Sequence, residues 1–228
     1  MNKKPTERFF SIFDGAPVKE LEPGETLVFE GESARYVYNT LEGMLMLFRS
    51  GSDGRRQVLA FIWPNNFVGL SALGNYRFSA KALIPSRVAY RKRVALQELF
   101  KRDATAEHEF VNMIFRVLEG LLDQVYFLGQ RNSVERLAVF LSLLHSRDNQ
   151  FGHLLEPQLH NHAAPLLNLP MTRTDIADFL GLKIETVSRG LRRLSEMELI
   201  KLQGTHAVEL RDLEGLNRLA GVEDLAQM

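Results

Sequence analysis

Between residues 17 and 95, turn-forming residues interrupt the chain too often for a long helix to fit. They are Pro23-Gly24, Glu30-Gly31, Glu42-Gly43, "SGSDGRR" at 50–56, Pro64-Asn65-Asn66, Gly74-Asn75 and Pro85-Ser86. Proline lacks the amide that a helix interior needs, glycine readily takes positive φ, and the apolar runs between these breaks have the length of strands. An antiparallel barrel or jelly roll satisfies that rhythm. Within it, "MLMLFR", then "GSDG", then "RRQVLAFIW" reads as a hairpin.

The pattern changes at residue 106. The stretch "AEHEFVNMIFRVLEGLLDQVYFLGQR", 106–131, has no proline, and Phe110, Ile114, Val117, Leu121, Val125 and Leu128 recur at steps of three or four. A single long helix is expected. Val111, Leu118, Leu122 and Phe127 widen its apolar surface beyond one stripe. One face can therefore pack on the barrel while the six-residue series forms a seam with a second copy of the chain. An internal core helix is the alternative. Asn132 or Ser133 can cap the next helix with Glu135 reaching back, and Leu137, Phe140, Leu141 and Leu144 continue at helical spacing. Residues 147–170 read as a turn-rich connector.

In "TRTDIADFLGLKIETVSRGLRRL", 172–194, Thr172 or Thr174 can cap a short helix whose apolar face is Ile176, Ala177 and Leu180, and Gly181 can end it in the left-handed conformation. A second helix follows. Its Val187, Leu191 and Leu194 share one face, leaving Glu185, Ser188, Arg189 and Arg192 on the other. Two short helices joined through glycine make a helix-turn-helix, whose second helix can enter the DNA major groove. "LIKLQGTHAVELRD" then supplies two strand-like runs around Gln203-Gly204-Thr205-His206, a hairpin wing.

Charge agrees with a local nucleic-acid surface. The chain as a whole balances 28 Lys and Arg against 28 Asp and Glu, whereas Lys183, Arg189, Arg192 and Arg193 against Glu185 give this helix +3. The bland alternative is a solvated face with a four-apart Glu185–Arg189 ion pair. The absence of cysteine excludes disulfides, thiolate zinc sites, cysteine nucleophiles and cysteine-ligated iron–sulfur clusters. With no apolar run long enough to span a bilayer and no secretion signal at the start, a cytoplasmic chain is expected.

The order of barrel, long helix and winged helix-turn-helix resembles the CRP/FNR family of bacterial transcription regulators, over nearly the whole chain. The resemblance is carried by "LEPGETLVFEGESARYVYNTLEGMLMLF", "DGRRQVLAFIWPNNFVGLSALG", "SVERLAVFL" and "MTRTDIADFLGLKIETVSRGLRRL". It implies an α+β chain in three parts: a cyclic-nucleotide-binding-like jelly-roll barrel over 1–105, a dimerisation helix over 106–131, and a winged helix-turn-helix over 132–228. The FNR branch carries Glu, two spacers, then Ser-Arg on the reading helix, and this chain has Glu185, Ser188 and Arg189 there. The resemblance implies an inverted repeat of TTGAT-like half-sites. Glu185 would accept from a cytosine amino group, Arg189 would donate to guanine, and Ser188 would touch a thymine methyl or a phosphate. Thr172, Arg173, Thr174, Lys183, Thr186, Arg192 and Arg193 would hold phosphates or position the helix. The CRP branch has an Arg directly before the Glu; Ile184 stands here, which favours FNR-like boxes. Contact with RNA polymerase is a family expectation without assigned residues.

The effector is less legible. Cyclic-nucleotide binders resemble a barrel segment with Gly-Glu near its start and Arg-Ser-Ala near its end. In "FVGLSALGNYRFSAKAL", Gly69 is followed by Leu70, Phe78-Ser79-Ala80 replaces the triplet, and Arg77 sits one residue early. Gly69, Leu70, Arg77 and Ser79 therefore mark a vestigial pocket, with Arg77 and Ser79 as loop residues, and cyclic AMP is not expected. No metal and no resident cofactor are expected. All six histidines, His108, His145, His153, His160, His162 and His206, follow the barrel, so haem would need methionine or tyrosine ligation there. The same absence counts against a cupin-like metal enzyme. A connector metal site at His153, His160 and His162 and a regulatory subunit that ignores DNA are the remaining alternatives. FixK-like and NnrR-like members share the fold without the cluster; some act without a known ligand and others answer nitric oxide or metabolites.

Overall fold

A computed structural model describes residues 7–151 and 165–221 of the chain. They group into two compact units, residues 7–55 and 59–122 in the first and 56–58, 123–151 and 165–221 in the second.

The first unit is built on strands β1 (Val18–Leu21), β2 (Thr26–Val28), β3 (Tyr36–Glu42), β4 (Leu45–Ser50), β5 (Arg56–Ile62), β6 (Phe67–Val68), β7 (Ser79–Ala82) and β8 (Ser86–Lys92). They form two four-stranded sheets, in the orders β1-β8-β3-β6 and β2-β7-β4-β5. This is the jelly roll that the turn rhythm implied, and β4 and β5 lie side by side as the expected hairpin. Both sheets feed one core, which includes Leu21, Tyr38 and Val88 from the first and Val28, Leu45 and Ala80 from the second. Gly43 shows why a glycine punctuates β3 and β4: its φ is +88°, and a Cβ there would lie 2.5 Å from the Pro85 carbonyl oxygen.

Alternation along β3 gives the first sheet a second buried face. Tyr38 points into the jelly-roll core, while Val37, with Ala89 of β8, belongs to a separate apolar cluster. A 3-10 helix at Arg8–Phe13, α1 (Val94–Arg102) and the start of α2 (Ala104–Gln130) complete that cluster with Phe9, Phe13, Leu96, Leu99, Ala106 and Phe110. Neither the 3-10 helix nor α1 is foreseen by the sequence pattern. Leu96 and Leu99 are too few to announce a helix before the sheet face they cover is known.

Phe110 corrects the expected seam. Its ring lies 5.4 Å from Phe9, 5.5 Å from Phe67 and 5.1 Å from Phe100, centroid to centroid, so it is part of this chain's own aromatic core. The helical period is the same for core-facing and outward-facing apolar residues, so spacing alone could not separate Phe110 from the rest. The others differ. Ile114, Val117, Leu121 and Val125 are 37% to 70% exposed in the single chain, and Leu128 is half-buried. Val111, Phe115, Leu118, Leu122 and Tyr126 are exposed as well, so the uncovered apolar surface is broader than the named series.

The second unit continues from the end of α2 through α3 (Ser133–Phe151), β9 (Leu166–Asn168), α4 (Arg173–Leu180), α5 (Ile184–Glu196), β10 (Ile200–Leu202), β11 (Ala207–Leu210) and α6 (Leu213–Ala220). Asn132 caps α3 as anticipated: its Oδ1 accepts from the amides of Val134 and Glu135, and the Glu135 carboxylate accepts from the Asn132 amide at 2.9 Å. β10, β11 and β9 form an antiparallel sheet in that order. The expected connector thus contains a strand, β9, whose three residues acquire that identity only by pairing with β11. His153, His160 and His162 lie outside the described residues. Among the described residues no helix is long and apolar enough to cross a membrane, and no cluster of His, Asp and Glu is arranged for a metal ion.

Candidate nucleic-acid interface

The reading motif begins at a reciprocal cap. Thr172, with extended backbone, accepts the Asp175 amide on its hydroxyl at 3.1 Å, and the Asp175 carboxylate accepts from the Thr172 amide at 2.9 Å and hydroxyl at 2.6 Å. Asp175 is buried, which by itself pushes its carboxyl up. The Thr172 bonds, with the charge and hydrogen bond of Arg56 at 2.6 Å, outweigh that and hold it below the usual carboxylate value. The Thr172 hydroxyl is therefore committed to fixing the start of α4. Ile176, Ala177 and Leu180 are buried as their spacing implied. Gly181 ends the helix at φ +63° and ψ 38°, with its amide donating to the Ala177 carbonyl.

After the turn, α5 starts at Ile184 behind Lys183, whose extended backbone caps the helix without any side-chain bond. The first amides of α5 are left free of a capping oxygen, at the positive end of the helix dipole. Val187, Leu191 and Leu194 are buried, with relative exposures of 1% or less. The opposite face is open: Lys183, Glu185, Ser188, Arg189, Arg192 and Arg193 are exposed, while Thr186 is half-buried. Arg193 is held by Glu196 at 3.3 Å. Among the described residues, Glu185, Ser188, Arg189, Lys183 and Arg192 have no side-chain hydrogen bond or ion pair. The bland four-apart pair between Glu185 and Arg189 is not formed.

Two positions depart from expectation. Arg173 is half-buried, its Nη1 is enclosed without a hydrogen-bond partner, and desolvation lowers its pKa. It does not stand out into solvent as a phosphate contact would, whereas its neighbour Thr174 does. Gly190, on the buried side of α5, was not singled out by the sequence. A Cβ there would run into the Cδ1 of Leu137 on α3, so the glycine is the notch that lets α3 and α5 approach. Periodicity could not flag it, because a glycine inside a helix has no side chain to count.

The wing is in place. β10 and β11 pair from Ile200↔Leu210 to Leu202↔Val208, and Gly204 turns the hairpin at φ +71°. Gln203 donates to Glu209 across its base at 2.8 Å.

The barrel positions that resembled a nucleotide pocket are otherwise employed. Gly69 has φ +114°, and a Cβ there would lie 2.9 Å from the Tyr36 carbonyl, which is a backbone reason for glycine. Leu70 is 37% exposed and Arg77 is exposed in a turn. Ser79 is not the loop residue expected: it opens β7, is buried, and accepts the Glu30 amide at 3.0 Å. Tyr38 and Tyr76 are buried nearby in the jelly-roll core, and the Tyr76 hydroxyl donates to the Tyr36 carbonyl at 2.8 Å. Burial raises the pKa of both phenols.

Comparison with known proteins bears on both units. Residues 18–103 match the cyclic nucleotide-binding domain family and residues 135–219 match the Crp-like helix-turn-helix domain family. The chain is 32% identical over 198 residues to the nitrogen fixation regulation protein FixK of Bradyrhizobium diazoefficiens, covering 83% of this chain and 80% of that protein. It is 31% identical over 202 residues to FixK of Rhizobium meliloti, covering 89% and 86%. Among solved structures, FixK2 from Bradyrhizobium japonicum superposes with a TM-score of 0.78 at 31% identity, over 90% of this chain and 96% of that one.

Proposed function

Because this chain belongs to the CRP/FNR family of DNA-binding transcription regulators, and is FixK-like within it, we propose that it binds DNA as a homodimer at inverted repeats with TTGAT-like half-sites. The observation that carries the reading is the division of α5: one face, Val187, Leu191 and Leu194, is buried, and the other presents Glu185, Ser188 and Arg189 without internal partners among the described residues. Glu185 accepts from a cytosine amino group, Arg189 donates two parallel bonds to guanine O6 and N7, and Ser188 meets a thymine methyl or phosphate. Thr174, Lys183, Arg192, Arg193 and the amides that open α5 hold phosphates, with Thr186 flanking them. Thr172 acts indirectly, by setting the start of α4.

The exposed apolar surface of α2 from Val111 to Tyr126 supports the dimer. A pair of such helices about a two-fold axis places two reading helices about 34 Å apart, one turn of DNA. Regulators named as activators among the relatives, such as FnrL of Cereibacter sphaeroides, support activation of transcription as the outcome.

We further propose that binding needs neither cyclic AMP nor a resident cofactor. Leu70 offers no carboxylate for a ribose, and the Ser79 hydroxyl is occupied by the Glu30 amide. A tyrosinate haem ligand would require ionising a phenol whose burial opposes it. The test is the affinity of cofactor-free protein for a TTGAT inverted repeat against a scrambled duplex at fixed salt. Tight, selective binding is expected. Weak binding to that repeat, together with weak binding to every duplex in a random pool, refutes ligand independence; selective enrichment of another sequence refutes the half-site alone.

A further inference from the structure

The first turn of α3 grips both helices of the reading motif. Arg136 Nε donates to the Arg131 carbonyl at 2.9 Å, one residue past the end of α2, and its Nη1 donates to the carbonyl of Leu180, the last residue of α4, at 3.0 Å. Carbonyls at helix C-termini lack the amide four residues on and carry the negative end of the helix dipole. One planar guanidinium therefore closes two helix ends, which the single point charge of lysine cannot reproduce. The adjacent residue, Leu137, is fully buried and fills the notch at Gly190 of α5. Arg131 itself lies on the end of α6: a Cβ at Gly221 would sit 2.8 Å from its Cζ. The link between α2 and α3 thus holds α4, α5 and α6 without a single residue of the open reading face.

We propose that Arg136 is a positioning residue for DNA reading, one that fixes the angle between the end of α2 and the helix-turn-helix and so sets the distance between the two reading helices of a dimer. It touches neither base nor phosphate. Its effect is on the ruler, because a rigid link makes two half-sites at one separation far better than the same half-sites at another. With the clamp removed, each α5 still reads its own bases, but the link yields and the separation is no longer enforced. The inference rests on the homodimer reading above.

The probe is the inverted repeat that the wild-type chain enriches from random duplex DNA, used as enriched, with one base pair added at its centre, and as a single half-site. Wild type should prefer the enriched spacing strongly. Arg136→Gln is expected to lose about tenfold of that preference, the factor equivalent to about 1.4 kcal/mol, while its affinity for the single half-site stays within about twofold of wild type. An Arg136→Gln protein that is folded and dimeric yet keeps the wild-type spacing preference overturns the proposal. So does an equal loss on every probe, half-site included, which a merely structural role would give. Should Arg136→Gln not fold, Arg136→Lys keeps the cation but meets only one carbonyl, and the same two results decide. Sedimentation of the wild type separately reports whether the dimer reading itself fails.

Discussion

Replacing Gly190 with alanine sets two effects of opposite sign against each other. Alanine in a helix interior is favoured over glycine by about 1 kcal/mol, because glycine loses more backbone freedom on folding. At an open position Gly190→Ala would therefore stabilise α5. Here the new methyl would overlap the Leu137 Cδ1, with the Cγ at 3.8 Å and the Ser133 carbonyl at 4.0 Å closing the other sides. Leu137 is itself fully buried, so its end cannot swing into solvent. Forcing an extra carbon into such a contact costs about 1–3 kcal/mol, which leaves a net loss of about 1 kcal/mol. The chain carries one tryptophan, Trp63, in the first unit, so its fluorescence should follow barrel unfolding and stay unchanged. Hydrogen exchange of the α5 amides in the second unit should speed up, and DNA affinity should fall with it. Leu137→Ala, normally a loss of about 2–5 kcal/mol, should be milder in the Gly190→Ala background because the new methyl enters the vacated space. Slower exchange in Gly190→Ala, or strict additivity of the two changes, would refute the packing argument.

Thr172→Val removes the cap of α4 and should cost about 1 kcal/mol of stability. The Asp175 carboxyl is held below its ordinary value in the folded chain, so its contribution is complete at neutral pH and disappears as pH falls through the ordinary carboxylate value toward the folded one. Acid unfolding of Thr172→Val, followed by circular dichroism, should accordingly begin at a higher pH than in wild type. Arg189→Ala should lose about 1–3 kcal/mol of discrimination at the half-site guanine, whereas Arg192→Ala should weaken all sequences alike and shallow the salt dependence by about one unit; anisotropy across salt concentrations separates the two. Leu121→Glu, on the open surface of α2, should sediment as a monomer with weakened DNA binding, and an unchanged dimer would move the interface elsewhere. Phe110→Ala should instead lower the stability of the first unit by about 3–5 kcal/mol, with association retained as long as that unit stays folded, below its unfolding transition.

Local chemistry was legible in the sequence, and non-local packing was not. The cap of α4, the left-handed Gly181, the cap of α3 and the turn at Gly204 each depend on atoms within a few residues, so their spacing announced them, down to a choice between Thr172 and Thr174 for the first cap and between Asn132 and Ser133 for the second. The jelly roll was legible for a related reason: a turn every few residues leaves an antiparallel sheet few alternatives. Phe110, α1 and β9 were missed because their roles are conferred by partners far along the chain, Phe9 for the first, the outer face of the β1-β8-β3-β6 sheet for the second and β11 for the third. Arg136 was not singled out, since nothing nearby in sequence says that two helix ends converge on it.

The same accounting of polar groups separates the two regions that the sequence marked as functional. Behind α5 the Thr172 hydroxyl is committed to Asp175 and the Arg136 guanidinium to two carbonyls, and the Arg131 side chain lies against the end of α6. On its outer face, among the described residues, Glu185, Ser188, Arg189 and Arg192 are committed to nothing. A rigid back and an unpaired front is the condition for reading an external pattern of donors and acceptors, because internal partners would compete with the bases and a loose scaffold would lose their register. In the barrel the relation is reversed. Ser79 serves the Glu30 amide, Tyr76 serves the Tyr36 carbonyl and Gly69 serves the approach of two backbones, so these groups are committed to the fold.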